Sequence, residues 1–93
     1  MPRFIFIYEQ RGSFNYKAFT DYLWSECPNL NVLTAKKYPK HKFAKIDQLH
    51  ATISVELGVS TDTAQEIAQA MVNLGFMDRT NEWNEAYYFY PAH

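Results

Sequence analysis

The stretch KKYPKHKFAK, residues 36–45, holds five of the chain's nine basic residues and no acid. Lys36, Lys37, Lys40, Lys42 and Lys45 concentrate positive charge in a chain whose net charge is −1. Such charge suits phosphate oxygens, where it supplies salt-dependent affinity and positions a protein without reading base sequence. A second set of residues lies downstream. Thr61, Gln65 and Gln69 recur at helical spacing, and a glutamine amide can make paired hydrogen bonds to adenine. Arg79 follows, within reach of a phosphate or the minor groove. Two neighbours oppose this chemistry. Asp62 and Glu66 share the face of the glutamines, and phosphate repels a carboxylate unless it is placed to accept from cytosine N4. The plain alternative for both sets is a solvated lysine loop and a solvated helix face.

Other chemistries find little support. His41, His50 and His93 have no ligand-like spacing with Cys27, so neither a metal nor a cofactor is expected. His50 falls near the apolar side of a helix, where a packed or hydrogen-bonded imidazole is the simpler reading. Ser13, Ser25, Ser54 and Ser60 lack the context of a nucleophile elbow, and no Gly-rich phosphate loop is present. Asp78, Glu82 and Glu85 are spread over a hairpin and form no catalytic pair. The chain is not read as an enzyme.

Aromatic residues are abundant, with seven Phe, seven Tyr and two Trp, gathered near the two ends. In Tyr87–Tyr90, strand alternation puts Tyr88 and Tyr90 on one face and Tyr87 and Phe89 on the other. Only one face can lie on helices. Phe4, Phe6 and Tyr8 against Ile5 and Ile7 pose the same problem. An uncovered face is an apolar patch and a partner site, and a homodimer built on these strands is one way to cover it. Tyrosine also sits on surfaces without difficulty. Trp83, in a turn, either contacts a partner or folds back onto the sheet.

The elements that must position these residues follow from periodicity and breakers. Residues 3–8 predict a strand. Residues 14–27 predict a first helix, capped by Ser13 or Asn15 and ended by Pro28, with Tyr16, Phe19, Leu23 and Cys27 along one side. Residues 28–42 read as a loop, with a short extended piece at Val32–Thr34 and Pro39 excluding a helix. Residues 47–57 predict a second helix with Asp47 as N-cap, stacking Leu49, Ile53 and Leu57 and stopped by Gly58. Ser60 caps a third, residues 61–74, whose core face is Ala64, Ile67, Ala68 and Met71. Gly75 ends it. Phe76 and Met77 begin an extended segment, NEWNE turns, and AYYFYP returns as a strand.

Ninety-three residues make one domain, 1–93, with 47% apolar and 20% charged residues, an ordinary globular composition. No apolar run approaches the ~20 residues of a membrane span. The start is too short in apolar residues for a secretory signal, and Cys27 has no partner for an internal disulfide. The expectation is a cytoplasmic protein.

ISVELGVSTDTAQEIAQAMVNLGFMDR, residues 53–79, resembles the helix-turn-helix and hairpin entry of winged-helix bacterial regulators of the MarR type. Ile53 and Ser54 take the first places, Leu57, Gly58, Val59 and Ser60 make the turn, and Gly75 and Phe76 match the end of the recognition helix. Arg79 lies where the wing begins. The resemblance covers about residues 47–90. It implies an α+β winged helix of three helices and a C-terminal β-hairpin wing, to which the N-terminal strand is added in the wing sheet. The adopted reading is a small DNA-binding regulator that holds phosphates with the lysine run and places helix 61–74 in the major groove. The alternative is a winged helix for protein recognition, an adaptor or inhibitor that binds no DNA, using Asp62, Glu66, Trp83, Tyr88 and Tyr90.

Overall fold

The computed structural model describes residues 3–93. Helix α1 (Tyr16–Ser25) begins where Asn15 accepts the Ala18 N–H on its side-chain oxygen at 3.0 Å, which satisfies one of the unpaired donors of a helix start. It buries Phe19, Thr20, Leu23 and Trp24. Helix α2 (Ile46–Leu57) ends at Gly58, whose φ of 64° is the left-handed conformation that costs a glycine nothing. Helix α3 (Thr61–Asn73) starts three residues after that bend, with Ser60 Oγ accepting the Thr63 N–H at 3.1 Å. Ala64, Ile67, Ala68 and Met71 on α3 and Leu49 and Ile53 on α2 belong to one buried cluster, together with Phe19, Leu23 and Trp24 of α1. The small alanines let the α2 and α3 backbones approach, while Ile67 and Met71 fill the space beside them.

Four antiparallel strands complete the α+β architecture: β1 (Leu33–Ala35), β2 (Tyr38–Lys45), β3 (Asp78–Thr80) and β4 (Tyr87–Tyr90), in the order β1-β2-β4-β3. Lys42 pairs with Tyr90, Ala44 with Tyr88 and Arg79 with Tyr88. Alternation then gives the sheet two unlike faces. Ala44 and Tyr88 join the helical core, and Tyr90 stacks on Trp24 with ring centres 5.8 Å apart. Phe43, Tyr87 and Phe89 face the other way. Elsewhere the Tyr22 hydroxyl and the Asn29 amide both donate to Glu56, at 2.5 and 2.9 Å, tying α1 and the following loop to α2.

Three sequence expectations are corrected. Residues 3–8 are not a strand and do not join the sheet. Arg3 is a bend, residues 4–7 join no ladder, and Tyr8–Ser13 is a 3-10 segment. Phe4 packs edge-on to Phe19 at 5.2 Å and Phe6 edge-on to Phe14 at 5.2 Å, so this segment partly buries these two rings against α1 and the residue that leads into it. The sheet position beside β4 is taken by β2. The lysine run is accordingly not a loop. Its Phe43 and Ala44 are 3% and 0% exposed, and burying them within the ladder outweighs the charge and the proline around them. Pro39 is tolerated because it sits at the start of β2, beside the register slip between Leu33 and Ala35. Asp47 is not the N-cap of α2. Lys45 holds that position without a side-chain bond, because the strand feeds directly into the helix.

Candidate functional site

Helix α3 turns Thr61, Asp62, Gln65, Glu66 and Gln69 to solvent. Asp62, Gln65, Glu66 and Gln69 line a shallow groove along this face. Neither carboxylate has an ion-pair partner among the described residues. Asp62 stands in the first turn, where the helix dipole favours it. Gln69 donates to Asn73 at 2.9 Å. Tyr16 has its pKa raised chiefly by burial, with Arg11 opposing and Glu66 adding a smaller increase.

The lysines are distributed over the length of a strand and its turn. Lys36 and Lys37 form the tight β1–β2 turn, and Lys37 lies 3.9 Å from Glu82 and 5.4 Å from the centre of the Tyr38 ring. Lys42 points to the helices, donating to the Trp24 carbonyl at 2.9 Å near the C-terminal end of α1, where a cation complements the dipole. Lys40 and Lys45 are exposed. Lys45 and Arg79 share a cleft of about 530 Å³ with Asp47 and Glu85, so its charges alternate in sign. The structure therefore joins Lys45 to Arg79 but does not unite the five lysines with the exposed face of α3.

Arg79 also acts on the interior. His50 meets the Tyr88 hydroxyl at 2.8 Å. Burial pulls the His50 pKa below its ordinary value and Arg79 adds to this, against an opposing pull from Asp47. Burial raises the Tyr88 pKa, with Arg79 opposing. Tyr88 is 2% exposed, and the Tyr90 hydroxyl donates to Asp21 at 2.9 Å. These two tyrosines, expected at a partner surface, are engaged inside the fold because they occupy the helix-facing side of β4.

Trp83 folds back onto the sheet. Its ring lies 5.4 Å from Phe43 and 5.5 Å from Tyr87, both edge-on, and partly covers the outer face for which a second chain was considered. The backbone of Trp83 (φ 56°) and Asn84 (φ 62°) is left-handed to make this reversal. On that face Tyr38, His41, Phe43, Thr80, Glu82 and Phe89 enclose a cleft of about 150 Å³. Sequence reasoning passed over this grouping. The available signal was the interleaving of Tyr38, His41 and Phe43 with lysines, which the loop reading obscured. No group of three His, Cys, Asp or Glu residues among the described residues is placed to hold a metal, and no helix there is long and apolar enough to cross a membrane. Comparison of the chain with protein-family models, curated proteins and solved structures gives no match.

Proposed function

We propose that this chain is a winged-helix module for protein recognition, in which α3 offers Asp62 and Glu66 to a basic surface of a partner. The observation that carries the reading is the exposed face of α3, whose six exposed positions, Thr61, Asp62, Gln65, Glu66, Gln69 and Asn73, include two carboxylates without an ion-pair partner among the described residues and no cation. A helix placed in the major groove lies between two rows of phosphates, so those carboxylates oppose DNA at close range. Across a protein interface the same charges steer a basic partner and set register. The winged-helix assignment is supported by the order of α2, the bend at Gly58, α3 and the β3–β4 hairpin, and by β4 pairing with β2 on its other side. The wing tip curls onto the sheet through Trp83, which leaves it short as a DNA-reaching arm.

A labelled duplex titrated in a salt series tests this. Wild type is expected to show at most weak binding at low salt, no tighter than the roughly 10⁻⁴–10⁻⁶ M of nonspecific contact. The double variant Asp62→Asn, Glu66→Gln should gain affinity for the duplex. Tight wild-type binding that falls steeply with salt, with a slope flattened by Lys36→Ala and Lys37→Ala, would sink the proposal. It would support the second reading, a DNA-binding regulator, for which Thr61, Gln65, Gln69 and the exposed Lys36, Lys40, Lys45 and Arg79 remain available. On the protein side, wild type should capture a stoichiometric partner from its native host, and Asp62→Lys with Glu66→Lys should abolish that capture.

A further inference from the structure

We infer that the outer face of the sheet carries an aromatic cage for a trimethylated ammonium group, presented as a modified lysine side chain of a partner protein. The cage lies on the sheet face turned away from the helices, so it stands or falls independently of the α3 surface. Its walls are four rings in different orientations. Tyr38 and His41 meet at 88° with centres 6.3 Å apart, His41 and Phe89 at 72° and 5.3 Å, and Phe43 and Phe89 at 35° and 5.9 Å. Ring faces carry the negative part of an aromatic quadrupole and attract a cation. Glu82 adds a full negative charge at the rim. Its carboxylate accepts from the Tyr38 hydroxyl at 3.1 Å, and the left-handed residue that follows it, Trp83, is pinned on Phe43 and Tyr87. Backbone in that region is costly for a bulky side chain and persists where surrounding contacts over-determine it.

A second observation points to a cation. The chain's own Lys37 already stands at this rim, 3.9 Å from Glu82 and 5.4 Å from the Tyr38 ring centre. Its side chain is 68% exposed, so an incoming group can displace it. The size and polarity of the cleft then select the ligand. At about 150 Å³ it is smaller than the ~300–1,000 Å³ of a site that encloses a whole metabolite, and it admits one side-chain head. The lining is mostly aromatic carbon, and its polar atoms are the Glu82 carboxylate, which accepts from Tyr38, the Thr80 and Tyr38 hydroxyls and the His41 ring. A primary ammonium brings three donors, each of which must exchange water for one of these few groups against a mostly aromatic lining. A trimethylammonium has no donors to satisfy and keeps its charge.

The test is an NMR titration of the full chain. The probes are choline, its uncharged isostere with a tert-butyl group in place of the trimethylammonium, and peptides carrying lysine or trimethyl-lysine. Choline and the trimethyl-lysine peptide should give saturable shifts at Tyr38, His41 and Phe89, with the uncharged isostere binding about tenfold more weakly or worse. Glu82→Gln should weaken binding several-fold, and Lys37→Ala, which removes the competing cation, should strengthen it. Both substitutions lie at the surface, and circular dichroism checks that the fold is retained. Equal binding of the isostere, tighter binding of unmodified lysine, or no saturation with choline each overturns the inference.

Discussion

Replacing Gly58 by alanine isolates the bend on which the α2–α3 pair depends. A Cβ built at Gly58 meets nothing within 4 Å, so no steric clash contributes and the cost is conformational alone. The residue sits at φ 64°, ψ 38°. Holding an L-residue there costs roughly 1–2 kcal/mol. Alanine also restricts the unfolded chain, which returns roughly 0.4–1 kcal/mol. The difference is a destabilisation of about 1 kcal/mol, or about 4–8 °C in Tm for a domain of this size. Urea and thermal unfolding followed by circular dichroism measure it. The mirror-image substitution sharpens the test. D-alanine at position 58, introduced by chemical synthesis, adopts positive φ without strain and keeps the restriction of the unfolded chain, so it should stabilise by roughly 0.4–1 kcal/mol. If the L-variant were neutral or stabilising, or the D-variant destabilising, the left-handed turn and the open space around it would both be wrong.

Ile53→Ala removes a side chain that is fully buried between α2 and α3, and should cost about 2–5 kcal/mol by urea denaturation, a large share of a domain's stability. Ser60→Ala deletes the α3 cap and should cost about 1 kcal/mol, whereas Asp47→Ala removes only a first-turn carboxylate worth about 0.3–1 kcal/mol, an order that equilibrium unfolding can rank. His50 has a depressed pKa in the fold, so the unfolded chain binds its proton first and stability falls as pH drops below about 6.5, the ordinary imidazole value. The urea midpoint should decline through that window less steeply in His50→Gln than in wild type.

What could be read from residue order was local. The periodicity of Ala64, Ile67, Ala68 and Met71, the cap at Ser60 and the left-handed stops at Gly58 and Gly75 act within a few residues of where they stand, and each is found where its chemistry requires. The two faces of Tyr87–Tyr90 followed from strand alternation in the same way. Pairing partners were not legible, because a strand is completed by whichever distant segment best buries its open edge. RFIFI has the stronger strand composition, yet its phenylalanines are consumed by Phe14 and Phe19 of the first helical region, and the lysine-rich segment takes the place beside β4 because Phe43 and Ala44 bury there. That exchange decided the rest. It split the lysines between a turn, a helix end and the mouth of α2, and gathered Tyr38, His41, Phe43 and Phe89 into one cleft. Local sequence set the helices and their caps. Competition for buried edge, which couples residues some forty positions apart, set the surfaces.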